Sequence, residues 1–347
     1  MTGVARAAAG PNIALIKYWG NRGDPALRLA ANGSISLTLD TLWTEVQVSY
    51  EERLLADTMQ INGQPADAPR LARARNFMNQ VRRIAKDTRF ASIETRTNFP
   101  MGAGIASSAA AFAALALAAI HAAGKSLEPP ELSRLARLGS GSACRSIYGG
   151  YVEWIAGGAH ESSQAEPLLP PEHWPLVDLI ALIDEAHKPV GSTEGHALAS
   201  TSPLQLARLA DTPRRLDACR QALRQRDFGR FAEIVELDSN LMHAVMLTSA
   251  PPLVYWQPAT LSVMGLVARM RQDGLGVCYT IDAGPTVHCL CEPSCAAQVT
   301  AALEAVEGVR RVLRATPGAG VRLVDEGGAA PWGALAQASQ PKSDPSG

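Results

Sequence analysis

Apolar and polar positions along the chain alternate in some stretches and recur at helical spacing in others. Residues 34–39 and 44–50 alternate and are rich in β-branched side chains, which predicts strands. Residues 92–98 alternate in the same way and lead into Pro100. Residues 70–86 read as a basic helix, and a long Ala-rich helix is expected after Gly102 and Gly104. A second helix is expected near Pro130, because proline suits a first helical turn. Gly149 and Gly150 break the chain before a strand at 151–154. Residues 167–171 form a proline-rich loop, and 176–183 is an apolar run of strand length interrupted by Asp178. Helices dominate 202–246. Strands at 277–282 and 286–291 flank a turn at Gly284-Pro285; a helix at 296–306 and a strand at 309–315 follow. The pattern is α+β in two domains, 1–185 and 186–327, with a polar tail at 328–347 expected to be disordered.

Composition narrows the function classes. The 347 residues are 47% hydrophobic and 19% charged, with a formal net charge of -1. That balance supports a sizeable core and gives no global pull toward nucleic acid or an anionic membrane. An anionic ligand must therefore be held by local positive groups. No run of about 18 apolar residues predicts a membrane span, and residues 105–123 read as a packed helix. Residues 1–10 lack the pattern of a signal peptide, so a cytoplasmic location is expected. Of six cysteines, Cys289, Cys291 and Cys295 lie beside His288, a spacing poor for zinc. Alternation puts Cys289 and Cys291 on one strand face, where small buried side chains belong.

The segment with most chemical content runs from Pro100 to Ala110. Gly102, Gly104 and Ala106 precede a helix that opens with Ser107 and Ser108. Such a turn can aim backbone N–H groups and a helix dipole at a phosphate, and either serine can give magnesium an oxygen ligand. The alternative is a tight turn before a buried helix. Gly124-Lys125-Ser126 is not a Walker loop, because the glycine that motif needs is replaced by Ala119. Gly124 is expected to cap the helix.

Four segments carry a resemblance. The glycine-serine loop resembles the second motif of the GHMP kinase superfamily. Pro11 to Gly20 (PNIALIKYWG), Gly139 to Gly150 (GSGSACRSIYGG) and Thr280 to His288 (TIDAGPTVH) resemble signatures of the mevalonate diphosphate decarboxylase family. The resemblance spans about residues 5–320. It implies the GHMP kinase fold, with an N-terminal domain like ribosomal protein S5 domain 2 and a ferredoxin-like C-terminal domain. It also implies ATP and Mg2+, a phosphorylated mevalonate as small-molecule substrate, and a homodimer.

By the same resemblance, the 3-hydroxyl of the substrate takes the γ-phosphoryl group of ATP, after which phosphate and carbon dioxide leave. Asp282 is then the base or aligner of that hydroxyl, Lys17 its partner cation, and Arg145 the holder of the carboxylate. Asn12, Tyr18, Ser140, Ser142 and Ser192 are candidate substrate contacts. Gly102, Gly104, Ala106, Ser107, Ser108 and Lys188 are candidate ATP contacts. Ser239 and His243 share one helix face, read either as site-related or as a plain polar face. Arg73 or Arg75 could reach the substrate from the basic helix. Trp19 reads as core.

One position departs from the family pattern. Asn21 stands where diphosphate-using members carry a lysine. Losing a cation weakens a more charged ligand most, which tilts the expectation toward 5-phosphomevalonate and isopentenyl phosphate, with the 5-diphosphate as the alternative. Two other readings compete: a mevalonate kinase that stops before decarboxylation, and a non-enzymatic binding protein on the same fold.

Overall fold

The computed structural model describes residues 3–100, 105, 107–183 and 191–324. Among them are three larger sheets and a two-stranded ribbon. The first sheet runs in the order Arg322–Leu323, Val4–Ala9, Thr44–Glu51, Phe90–Thr97, Thr58–Ile61, Gln64–Pro65, antiparallel except where Thr58–Ile61 pairs with Phe90–Thr97. Two helices pack on it and a third packs against those two. Ala68–Ala85 starts at Asp67, whose carboxylate accepts from the Arg70 N–H, with proline in its first turn. Ser107–Ala122 is buried almost wholly through alanines, whose small side chains let it lie close on the sheet. Gly124, at φ 70°, ends that stretch, and the Lys125 N–H closes back on Ile120. Pro129–Gly139 follows, held by a capping box between Glu128 and Glu131.

The second sheet, Gln164–Leu169, Tyr151–Ile155, Ser34–Thr38 and Asn12–Ile16, is antiparallel. The third, Val277–Thr280, Val287–Cys291, Val177–Leu182 and Arg311–Ala315, is antiparallel too. Its central strands are buried on both faces because both are covered, and apart from Asp178 and His288, which pair at 2.7 Å, their side chains are apolar. Ile180, Leu182, Leu290 and Leu313 join a core shared with Ile13, Leu37 and the helices Thr212–Gln225 and Phe228–Leu247. Val177, Leu179, Ala181, Cys289 and Cys291 face Pro258–Gln272 and Ala296–Glu304. Cys289 and Cys291 thus share one face, as their alternation predicts, and all six cysteines are buried and free.

Val177–Leu182 lies before residue 185 yet pairs with the C-terminal strands, so the change of sheet falls ahead of Val177 rather than at 185. The chain also returns at its other end: Arg322–Leu323 pairs with Val4–Ala9. Both arrangements depend on long-range pairing that local alternation does not encode. Residues 328–347 lie outside the described residues. No helix among those described is long and apolar enough to cross a membrane.

Candidate active site

A cleft of about 310 Å³ collects the ends of many elements. Lys17, Tyr18 and Trp19 enter it from just past Asn12–Ile16, and Arg70 and Arg73 from the basic helix. Ser107 and Ser108 reach it from the first turn of the Ala-rich helix, and Ser140, Gly141, Ser142 and Arg145 from the following helix end and 3₁₀ run. Ser192, Thr193 and His196 come from Ser192–Leu198, and Asp282 from the turn after Val277–Thr280. Five arginines and lysines and one carboxylate line the cleft among the described residues. It is built for an anion.

Lys17 and Asp282 meet at 2.6 Å, Nζ to Oδ1. The Lys17 side chain is 1% exposed and the Asp282 side chain 27%, so the pair shows the solvent only its carboxylate face. Burial alone would raise the Asp282 pKa; the Lys17 charge and hydrogen bond outweigh it and hold the carboxyl below its ordinary value. Burial pulls the Lys17 pKa down, and Asp282 offsets part of that. The Lys17 backbone is pinned on both sides. Its N–H donates to Asp238 Oδ2 at 2.5 Å, and its carbonyl accepts from Asn32 and Arg208. Arg215 Nε donates to Asp238 at 2.6 Å, with both side chains fully buried. On the other side, the Ile281 N–H donates to Ser239 Oγ at 3.0 Å, and Thr280 Oγ1 donates to the Ala14 carbonyl. Ser239 and His243 are therefore no solvated face. Both are buried, with His243 stacked on Trp256, and they support the turn that carries Asp282.

Arg145 is 3% exposed. Its Nε and Nη2 donate to Asn12 Oδ1 at 3.2 and 3.0 Å, and its Nη1 donates to Ser34 Oγ at 2.7 Å. Those acceptors are neutral, so the fork is oriented without its charge being cancelled. Asn12, expected as a substrate contact, does not line the cleft. Its amide also donates to the Ser142 carbonyl and to Ser146 Oγ, which leaves it an orienter of Arg145.

Tyr18 is wedged between His196 and Trp154, with ring centroids 4.2 and 4.6 Å away. Its hydroxyl donates to Asn21 Oδ1. Asn21 sits in the ribbon Asn21–Arg22 and Leu29–Ala30 and does not line the cleft. The ring also lies over Gly141, where a Cβ would come within 2.7 Å of it. Stacked on His196 and in edge contact with Trp154, Tyr18 has little room to yield. Gly141→Ala is therefore expected to raise the substrate KM roughly 10-fold and to lower Tm by a few degrees; steady-state kinetics and calorimetry check both. His196 Nδ1 accepts from the Gly20 N–H at 3.0 Å, and burial with the nearby Arg28 charge holds its pKa down to about 3. It is a neutral imidazole carrying its proton on Nε2.

Ser140 Oγ lies 3.1 Å from Ser108 Oγ and makes no side-chain cap, so the Gly-Ser-Gly-Ser run faces the cleft rather than merely starting a helix. Arg73, not Arg75, lines the cleft: Arg73 Nε donates to the Gly139 carbonyl, whereas Arg75 donates twice to the Asp57 carbonyl. Trp19 is buried against the segment around Gly195. Gly102, Gly104, Ala106 and Lys188, expected as ATP contacts, lie outside the described residues. Sequence reasoning missed Arg28, Arg70, Thr193, His196 and Met242. Of these Arg70 carried a signal in its three-residue spacing from Arg73 on one helix face, and Thr193 adjoins Ser192 in the same segment.

A smaller apolar pocket of about 120 Å³ adjoins the cleft and shares Arg70, Arg73, Ser107 and Ser108 with it. Val46, Met59, Ile61, Phe112 and Leu115 form its walls.

This fold and cleft define a two-domain α+β enzyme of the GHMP kinase type. Residues 9–165 match the diphosphomevalonate decarboxylase-like N-terminal domain, and residues 178–316 the mevalonate 5-diphosphate decarboxylase C-terminal domain. The diphosphomevalonate decarboxylase of Candida albicans is 38% identical over 302 residues, 81% of this chain and 82% of that one. That of Saccharomyces cerevisiae is 37% identical, over 81% of this chain and 76% of its own. The solved mevalonate diphosphate decarboxylase of Staphylococcus aureus superposes with a TM-score of 0.89 at 36% identity, over 94% of this chain and 99% of that one. The chain belongs to the mevalonate diphosphate decarboxylase family.

Proposed function

We propose that the chain carries out the ATP-dependent decarboxylation of 5-diphosphomevalonate to isopentenyl diphosphate, ADP, phosphate and carbon dioxide. The observation that carries this reading is the Lys17–Asp282 pair at 2.6 Å in the same cleft as a buried Arg145 that has only neutral acceptors. The relatives named above are diphosphomevalonate decarboxylases, and the solved MDDEF complex with MVAPP, AMPPCP and magnesium is 36% identical, with a TM-score of 0.88 over 94% of this chain and all of that one. The expectation of 5-phosphomevalonate rested on Asn21, and those relatives favour the diphosphate instead. The physical reason lies in the ribbon: Asn21 accepts from Tyr18 and leaves the cleft charge to Arg28, Arg70 and Arg73.

In this reading Asp282 accepts or aligns the proton of the substrate 3-hydroxyl for attack on the γ-phosphorus of ATP. Lys17 keeps that carboxyl ionised and faces the phosphoryl group in transfer. Arg145 grips the substrate carboxylate in two parallel hydrogen bonds and holds it in plane until the C3–O bond has broken. The C3–O electron pair leaves with phosphate, and the pair of the breaking bond between C2 and the carboxylate carbon then forms the alkene as carbon dioxide leaves. Tyr18, Ser140, Ser142 and Ser192 face the phosphorylated tail, and the apolar pocket beside Arg73 is sized for the nucleotide base. Ser107 or Ser108 is the candidate ligand for magnesium, which would neutralise nucleotide phosphate charge.

Mevalonate, its 5-phosphate and its 5-diphosphate, each assayed with ATP for ADP and carbon dioxide, test the reading. The diphosphate is expected to give the highest kcat/KM, with one carbon dioxide per ADP. ADP without carbon dioxide would leave a kinase. A second check concerns protonation. The folded Asp282 pKa is depressed, so its pairing stabilises the fold above the ordinary carboxyl value of about 3.9 and is lost as pH falls through the lower folded value. Carbon-13 NMR of the free enzyme, with the signal assigned by its loss in Asp282→Asn, should give a midpoint below about 3.9. A midpoint above 5 contradicts the arrangement.

A further inference from the structure

Arg28 is held in place at a conformational cost. It ends the 3₁₀ turn Pro25–Leu27 at φ 46°, ψ 43°, a left-handed conformation that disfavours any side chain but glycine.

Its guanidinium is aimed as well as placed. Arg28 Nε donates to the Leu138 carbonyl at 3.0 Å, and Arg73 Nε donates to the next carbonyl, Gly139, also at 3.0 Å. These are the last two carbonyls of Pro129–Gly139, the negative end of that helix dipole. Each arginine thus spends one N–H on the helix end and keeps the outer edge of its fork. No carboxylate pairs with either among the described residues. Burial lowers both guanidinium pKa values, and the Arg28 charge helps push Arg73 down to about 10. Two half-buried cations set side by side without an anion form a site organised in advance for one.

The two arginines divide the cleft. Arg73 lines both the cleft and the apolar pocket, and stacks over Phe112 at 4.8 Å. Arg28 lines the cleft alone. The Arg28 field falls on Tyr18 and His196, while Asp282 answers to Lys17, His288 and Arg145. Arg28 lines the cleft with Tyr18 and His196 and does not line the apolar pocket.

We propose that Arg28 grips the terminal phosphoryl group of the substrate and is a determinant of specificity for a phosphorylated mevalonate tail. The proposal rests on the function above only in that a phosphorylated tail occupies this cleft. Mono- or diphosphate preference is read separately from the wild-type enzyme.

The test compares Arg28→Gln, Arg28→Lys and Arg28→Gly with wild type, measuring KM for the preferred phosphorylated substrate, KM for ATP, kcat and Tm. For Arg28→Gln the substrate KM is expected to rise roughly 10- to 100-fold, with kcat within about 3-fold and the ATP KM within about 2-fold. Arg28→Lys should recover part of the loss. Arg28→Gly relieves the left-handed strain, so its Tm should match or exceed wild type while the substrate KM still rises. That variant keeps the test decisive even if Arg28→Gln folds poorly. A rise in the ATP KM with an unchanged substrate KM would hand Arg28 to the nucleotide and overturn the proposal, as would an unchanged KM in Arg28→Gly. If wild type prefers the monophosphate, the diphosphate reading falls, and the Arg28 assignment is judged on the monophosphate KM.

Discussion

Asp282→Asn is expected to lower kcat by about 1,000-fold while ATP affinity changes less than about 2-fold. The amide is isosteric with the carboxyl but accepts no proton at neutral pH, so it removes the base and leaves the cleft shape intact. Lys17 supplies the secondary effect. Its ammonium is buried and its only ion-pair partner among the described residues is Asp282, so the variant leaves a buried cation unmatched. Breaking such a pair costs on the order of 3 kcal/mol where the survivor must stay charged. Lys17 has an escape, because burial already lowers its pKa and it can shed the proton. The expected Tm loss is therefore small at pH 9 and larger at pH 6, where the proton is harder to release. Single-turnover kinetics, ATP titration and melting at both pH values make the measurement. A variant that still turns over at a tenth of the wild-type rate would remove Asp282 from the chemistry.

Much of the site was legible because its parts fall in short contiguous segments. Lys17-Tyr18, Ser140 to Arg145 and Asp282 each sit in a local motif, and the structure brings all of them to one cleft. The elements read from alternation match closely as well: residues 44–50 against Thr44–Glu51, and 92–98 against Phe90–Thr97. Arg28 and His196 were not legible. Their neighbours in sequence carry no motif, and their importance comes from what they meet in space, the Leu138 carbonyl and the Gly20 N–H. Asn12 and Asn21 show the opposite case. Asn12 lies inside a motif and Asn21 directly after one, and their side chains turn to Arg145 and Tyr18. A motif reports that a residue is near the chemistry; which way its side chain points depends on long-range pairing. Strand Val177–Leu182 makes the same point at larger scale, since its apolar run was readable and its sheet was not.

Arg145→Lys is expected to lower kcat/KM by roughly 100- to 1,000-fold, and Arg145→Met by at least as much. The wild-type guanidinium serves Asn12 Oδ1 through two N–H groups and Ser34 Oγ through a third; in the proposed reading its remaining donors hold the substrate carboxylate. A lysine ammonium has three donors on a compact head and cannot span that fork. Either Asn12 and Ser34 lose their donor or the carboxylate does. Each charged hydrogen bond is worth about 1.5–3 kcal/mol, so loss of a two-bond grip accounts for the expected range. The two functions of Arg145 also separate in the products. Holding the carboxylate affects the step after phosphoryl transfer, so the variants should form carbon dioxide in less than equal amount to ADP. Loss of structure alone would lower both products together. Equal yields at a reduced rate, with Tm unchanged, would mean that Arg145 does not hold the departing carboxylate.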